Sequence, residues 1–304
     1  MDAAAVRAEL AQLRQAMAAR YPDPVFDLRL GAEGVRGVVG VAAQAEVARA
    51  RLAARWPELS VRLQVLAERR PRRALWATPP WLEVWRDRPA PGGRGSSLTT
   101  EVLPHDPPAD LLAVRGGACL VRAPGGAVGW VARGGPFQLG PRRDPAAGGL
   151  APVGPGPLPA RWSVAEVRLW LLDQVGRPYV WGGTGGAGFD CSGLTWRAFA
   201  RVGLCLPRNS RGQRGCGERV AAAAVGAGDL AGAVSRRRRV SHVALALDPV
   251  TVVHACSETG AVRVEPRRDF EQRYQVLGWR RVGRAAPASS PASAGDGQAP
   301  GRHG

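Results

Sequence analysis

The spacing of apolar and polar positions divides the chain into segments of different character. Met1 to Arg20 mixes Ala and Leu with Asp2, Arg7, Glu9, Arg14 and Arg20, the pattern of an amphipathic helix. Val25–Leu30 and Val35–Ala42 read as strands, Gln44–Trp56 as a helix and Val61–Leu66 as a further strand. Residues 1–76 thus form a small α+β segment to which the pattern assigns no role, with Arg69-Arg-Pro-Arg-Arg as the linker after it. Residues 77–138 carry short strand-like runs between turn residues: Trp81-Leu-Glu-Val-Trp, Leu112-Ala-Val, Ala118-Cys-Leu-Val-Arg and Gly129-Trp-Val-Ala-Arg. They predict a small β domain. Residues 139–160 are rich in Pro and Gly and read as a linker, and the Ala/Pro/Ser/Gly tail 285–304 reads as disordered. Between them, residues 161–284 open with a helix over Ser163 to Val175. Ser163 is its N-cap, Glu166 completes a capping box, and Val164, Val167, Leu171, Leu172 and Val175 give the core face.

A second helix in that region carries the first chemistry. A glycine-rich loop, Gly182 to Gly188, leads through Phe189 to Asp190-Cys-Ser-Gly. Asp190 is a good N-cap, and Cys191 onward is helical until Gly203 stops it. Cys191 therefore sits in the first turn, where unpaired N–H groups and the helix dipole favour an anion. On that ground alone the thiol is expected to ionise below the free value of about 8.5.

The chain has four histidines, at 105, 242, 254 and 303. Ser241-His-Val-Ala-Leu-Ala-Leu reads as a strand, Asp248-Pro-Val as a turn and Thr251-Val-Val-His-Ala as the returning strand. If Leu247 faces Thr251, His254 lies opposite Ala244 and one alternation from His242, so both imidazoles project from the same face. A Cys at a helix start, a His on a strand and a polar residue behind that His form a nucleophile–base–orienter set. No Cys/His pair has usual zinc spacing, so no metal and no cofactor are expected.

These residues carry a resemblance. Arg177-Pro-Tyr-Val-Trp-Gly-Gly, Phe189-Asp-Cys-Ser-Gly-Leu, Leu206-Pro-Arg-Asn-Ser-Arg-Gly-Gln, Gly228-Asp-Leu, His242-Val-Ala and His254-Ala occur in the order found in NlpC-type papain-like cysteine peptidases, which cut bacterial cell-wall peptides. Residues 161–284 resemble that family's catalytic domain. The resemblance implies helices on an antiparallel sheet completed by strands Ala261–Val264 and Gln275–Arg281. It also implies Cys191 as nucleophile, His242 as base and His254 as its orienter. Tyr179 would lie beside the thiolate and donate to the oxyanion with the Cys191 N–H. The Gly-Trp-Val at 129–131 resembles the end of a bacterial SH3-like barrel, a common companion of the family. In relatives acting on murein fragments with a free L-Ala amine, the positions of Asp190 and Ser210 hold that amine and nearby peptide groups. Ser192 is a further polar contact and Trp181 a cleft wall. Those relatives also send a Tyr from just before Gly-Trp-Val into the site. Here Gly126-Ala-Val stands there, which argues for a looser site.

Composition changes the picture at three points. The formal charge is +17, and every basic residue other than His is Arg, with no Lys, in an Ala/Gly/Pro/Arg-rich chain. The arginines are scattered and not grouped with aromatic residues, which argues against nucleic acid. The one dense run, Arg236 to Arg239, ends three residues before His242 and would border the cleft, attracting carboxylate-rich muropeptides. No stretch approaches about 18 consecutive apolar residues, so no membrane span is expected. The five cysteines are odd in number and irregularly spaced, and the first twenty residues lack the apolar core of a secretory signal; both favour a reducing, cytoplasmic setting over the cell wall. The reading is a cysteine endopeptidase cutting γ-D-glutamyl–diamino-acid bonds in wall-derived peptides during murein recycling. A secreted cell-wall DL-endopeptidase, a thiol amidase or acyltransferase on another substrate, and a binding module without catalysis are the alternatives.

Overall fold

The computed structural model describes residues 2–20, 25–66, 71–90, 93–142, 151–154, 164–237 and 241–284. The first segment follows its hydrophobic pattern. Helices Ala3–Arg20 and Ala42–Arg55 pack on a three-stranded sheet of Phe26–Gly31, Gly34–Val39 and Val61–Val65. The first two strands form an antiparallel hairpin, and the third joins in parallel after the helical crossover. Val6, Leu13, Leu28, Val35, Val39, Ala48 and Leu52 make its core.

The β domain is wider than its predicted bounds of 77–138. Its seven-stranded antiparallel sheet begins with Arg73–Ala77 and closes with Phe137–Pro141, which pair with each other. The stretch read as a linker up to Arg73 thus ends in a strand. Alternation is masked there because Ala74 and Leu75 are both buried while Arg73 and Trp76 are exposed. Leu98–Val102 is another strand without a clear sequence signal, since Thr100, Glu101 and Val102 are all buried.

Part of the Pro/Gly-rich stretch 139–160 is also structured. Ala151–Gly154 pairs in parallel with Leu204–Cys205 and antiparallel with Gly283–Arg284. It joins a short strand in the middle of the C-terminal region to its last described strand. The remaining linker residues, 143–150 and 155–160, lie outside the described residues, as do the cap Ser163 and the tail from Ala285.

The C-terminal region is α+β. Six strands run in the order Glu218–Val220, Tyr274–Arg281, Leu230–Ser235, Ser241–Asp248, Thr251–Cys256 and Ala261–Pro266, each antiparallel to its neighbours. The helix Cys191–Arg201 packs on this sheet through a core that includes Leu194, Phe199, Val243, Leu245 and Val253. The opening helix is shorter than expected, Val164–Asp173. Val167 and Leu171 are buried, but Leu172 and Val175 are 41% and 46% exposed. Leu172 lies about 100° round the helix from Leu171, and Val175 falls beyond the helix end, so the apolar face is narrower than its count of apolar residues suggests.

Candidate active site

Asp190 caps the helix as expected. Its backbone is extended, and its Oδ1 accepts the Gly193 N–H at 2.6 Å. Gly193 is obligatory for a local reason: a Cβ there would collide with the Gly183 carbonyl oxygen of the preceding loop. Gly182 needs a positive φ of 78°, and a Cβ there would lie 2.6 Å from the Leu98 carbonyl oxygen. These two contacts wrap the glycine-rich loop tightly around the helix start and press it against the β domain.

The Cys191 side chain is 8% exposed and faces the sheet. The Val243 and Ser192 backbone N–H groups reach its sulfur, which puts the thiol against the strand that carries His242. The hairpin register brings the two histidines together. Leu245 pairs with Val253 and Ala246 with Val252, the pairing expected in the body of the hairpin. Nearer the turn a bulge makes Asp248, rather than Leu247, the partner of Thr251. His242 Nε2 lies 2.8 Å from His254 Nδ1, with the rings at 90°. Tyr274 stacks on His242 with centroids 4.4 Å apart, and Phe270 stacks on Tyr274.

Behind His254 stands a residue that sequence reasoning missed. His254 Nε2 lies 2.9 Å from Glu265 Oε1, and both side chains are fully buried. The other carboxylate oxygen faces the guanidinium groups of Arg263, at 3.5 Å, and Arg273. A signal existed. Antiparallel pairing of His254 with Arg263 puts Glu265 diagonally across on the same face, but the predicted strand stopped at Val264.

The electrostatics correct one expectation. The Cys191 thiol is not depressed by the helix start. Burial foremost, and then the Asp190 carboxylate, push it up to about 12 against the backbone N–H groups and Arg208. Burial, and then the neighbouring His254, hold His242 well below 6.5. Burial, Arg273 and Arg263 bring His254 down to about 3. The resting pair is therefore a neutral thiol beside a neutral imidazole, and ionisation belongs to the attack itself.

The remaining predicted site residues fall around this centre. Tyr179 is half-buried and packs against the core cluster that includes Cys191, and its hydroxyl is raised by burial and then by Cys191. Asp190 is buried and fully engaged: Arg208 grips it through both terminal nitrogens, at 3.0 and 2.8 Å. The Gly182 N–H donates to its Oδ2 and the Ser192 hydroxyl to its Oδ1. Ser192 also accepts from Arg208. Ser210 bonds to Ser241, the residue before His242, at 3.0 Å. Trp181 is 61% exposed and presents its indole to solvent. Of the arginine run, Arg238 and Arg239 lie outside the described residues. Among the described residues no cluster of His, Cys, Asp and Glu could hold a metal.

The β domain supports the site directly. Glu101, itself buried, accepts from the backbone N–H groups of Thr184, Gly186 and Ala187 at 2.9 to 3.1 Å. Asp106 pairs with the buried Arg197 of the catalytic helix, and Thr100 accepts from Arg208 at 2.8 Å. Glu101 was missed because its strand shows no alternation.

A thiol at a helix start, served by an imidazole on an antiparallel sheet that a second imidazole orients, is the arrangement of a papain-like thiol site. Comparison with known proteins agrees: residues 176–280 match the NlpC/P60 family and are an NlpC/P60 domain. A probable endopeptidase of Corynebacterium glutamicum is 40% identical over 86 residues, covering 28% of this chain and 40% of that protein. The peptidoglycan endopeptidase RipB of Mycobacterium tuberculosis is 37% identical over 122 residues, covering 36% of this chain and 50% of that one. The bifunctional muramidase/DL-endopeptidase CwlT of Bacillus subtilis is 38% identical over 77 residues, covering 24% and 23%. The solved RipB structure aligns at 30% identity over 40% of this chain and 68% of that one, with a TM-score of 0.33. The chain thus spans half or less of the length of these curated relatives.

Proposed function

We propose that the chain is a cysteine endopeptidase that hydrolyses the γ-D-glutamyl bond to a diamino acid in peptidoglycan-derived peptides. The observation that carries this is the line His242–His254–Glu265, with Cys191 against the strand that carries His242, inside an NlpC/P60 domain whose relatives are named endopeptidases. The Cys191 sulfur attacks the carbonyl carbon while His242 takes the thiol proton. The oxyanion forms beside the Tyr179 hydroxyl and the helix N-terminus. His242 then returns the proton to the departing amine, leaving a thioester. Water, deprotonated by His242, releases the acid. A role in murein recycling in a reducing compartment is supported by the five cysteines, all free thiols, of which Cys119, Cys191 and Cys256 are buried.

The pH dependence follows from the neutral pair. Activity needs unprotonated His242, whose folded-state pKa lies well below 6.5, so protonation removes the base only in acid. The acid limb of kcat/KM should fall below pH 6.5, with activity sustained above it. A limb centred at or above that value would contradict a neutral resting pair.

Substrate choice turns on Asp190. Its oxygens already serve Arg208, Ser192 and two backbone N–H groups, so a free L-Ala ammonium would share an occupied carboxylate. A charge-assisted contact is worth about 1.5–3 kcal/mol when unshared. The preference for L-Ala-γ-D-Glu-diamino acid over its N-acetyl form should therefore be real but below about tenfold in kcat/KM. Complete rejection of the acetylated peptide would contradict this, and equal rates would leave Asp190 as a cap and ion-pair partner only.

A further inference from the structure

We propose that Glu265 is a positioning residue that sets the direction of the proton line, fixing His254 and His242 as Nε2–H tautomers and leaving the His242 Nδ1 lone pair as the base for Cys191. This rests on the catalytic reading above. His254 is neutral and fully buried, so it carries one N–H and has two ring nitrogens to satisfy. Among the described residues, the one polar group on its Nε2 side is the Glu265 carboxylate, 2.9 Å away, and with two guanidinium groups on its other oxygen that carboxylate is an anion that accepts but never donates. The His254 proton must therefore lie on Nε2, and its Nδ1 becomes an acceptor. The partner of that Nδ1 is His242 Nε2 at 2.8 Å, which must donate. His242, also neutral, has then spent its one N–H, and its Nδ1 is left with a lone pair. A buried base needs that tautomer to accept a thiol proton.

The same geometry defines a substitution of equal size that should reverse the line. In Glu265→Gln the side-chain oxygen is claimed by Arg263 and Arg273, because the guanidinium groups donate only. The amide NH2 then faces His254 Nε2 and donates to it. His254 must shift its proton to Nδ1 and donate to His242 Nε2, which forces the His242 proton onto Nδ1, facing away from His254. The base is lost with no change in side-chain size.

The test is long-range 1H–15N correlation of the histidine rings in the full chain, with His105→Gln and His303→Gln to simplify the spectrum to the two site residues. The wild type should show Nε2–H tautomers at both His242 and His254, and Glu265→Gln should show Nδ1–H at both. Its kcat should fall about a hundredfold or more with little change in KM, as expected for a base held in the wrong tautomer. Nδ1–H at His242 in the wild type would overturn the proposal even if Glu265→Gln failed to fold. So would a folded Glu265→Gln with unchanged tautomers and kcat. A protein with the stated tautomers that cleaves no wall peptide would instead refute the substrate reading while leaving the role of Glu265 intact.

Discussion

Cys191→Ala is expected to lower hydrolysis by about 10⁴-fold or more while leaving the unfolding midpoint nearly unchanged, because the nucleophile has no substitute among residues acting as a unit. The thiol makes no hydrogen bond that the helix start needs, since the cap is carried by Asp190. His242→Ala should be about as damaging, because a thiol raised to about 12 has almost no thiolate at neutral pH without a base. His254→Gln should cost less than either. A glutamine oxygen can still accept from His242 Nε2 while its NH2 donates to Glu265, which keeps the polarity of the line. Steady-state rates alongside thermal melts check all three. A His254→Gln enzyme that is dead while His242→Ala remains active would exchange the roles of base and orienter.

The second large effect concerns stability. Arg208 is buried, grips Asp190 with two nitrogens, and also reaches Ser192 and Thr100. Arg208→Ala would leave the Asp190 carboxylate buried beside the helix start with only neutral partners. Breaking a buried pair from one side costs about 3–5 kcal/mol. Urea unfolding should show a loss of that order, with a lower midpoint and an unchanged slope. A loss under about 1 kcal/mol, the scale of an exposed pair, would mean that the ion pair is solvated.

How much of this was legible depends on period and on reach. The N-terminal helices and strands, the Asp190 cap and the His242–His254 hairpin follow from local pattern and capping chemistry, and the structure places each within a few residues of its reading. Glu265 and Tyr274 were each lost by a single residue, because the predicted strands ended at Val264 and began at Gln275. Strand ends are where polar and aromatic residues break the alternation that reveals a strand, and here those residues complete the site. For Glu101, whose strand shows no alternation, and for Arg208, sequence distance also counts. Glu101 meets backbone N–H groups 83 to 86 positions away, and Arg208 meets Asp190 18 positions and Thr100 108 positions away, so no local pattern shows these contacts. The elevated thiol was misjudged because a helix start is visible in sequence, whereas the burial that outweighs it is a property of the assembled sheet.

In the proposed function, Cys191 cuts the bond between γ-D-glutamate and a diamino acid. Mass spectrometry of L-Ala-γ-D-Glu-diamino acid after incubation with the wild-type chain and with Cys191→Ala tests it most directly. The wild type should release L-Ala-D-Glu and free diamino acid, and Cys191→Ala should leave the peptide intact. Intact peptide from both, a cut at the L-Ala–D-Glu bond, or equal cleavage by Cys191→Ala would contradict it.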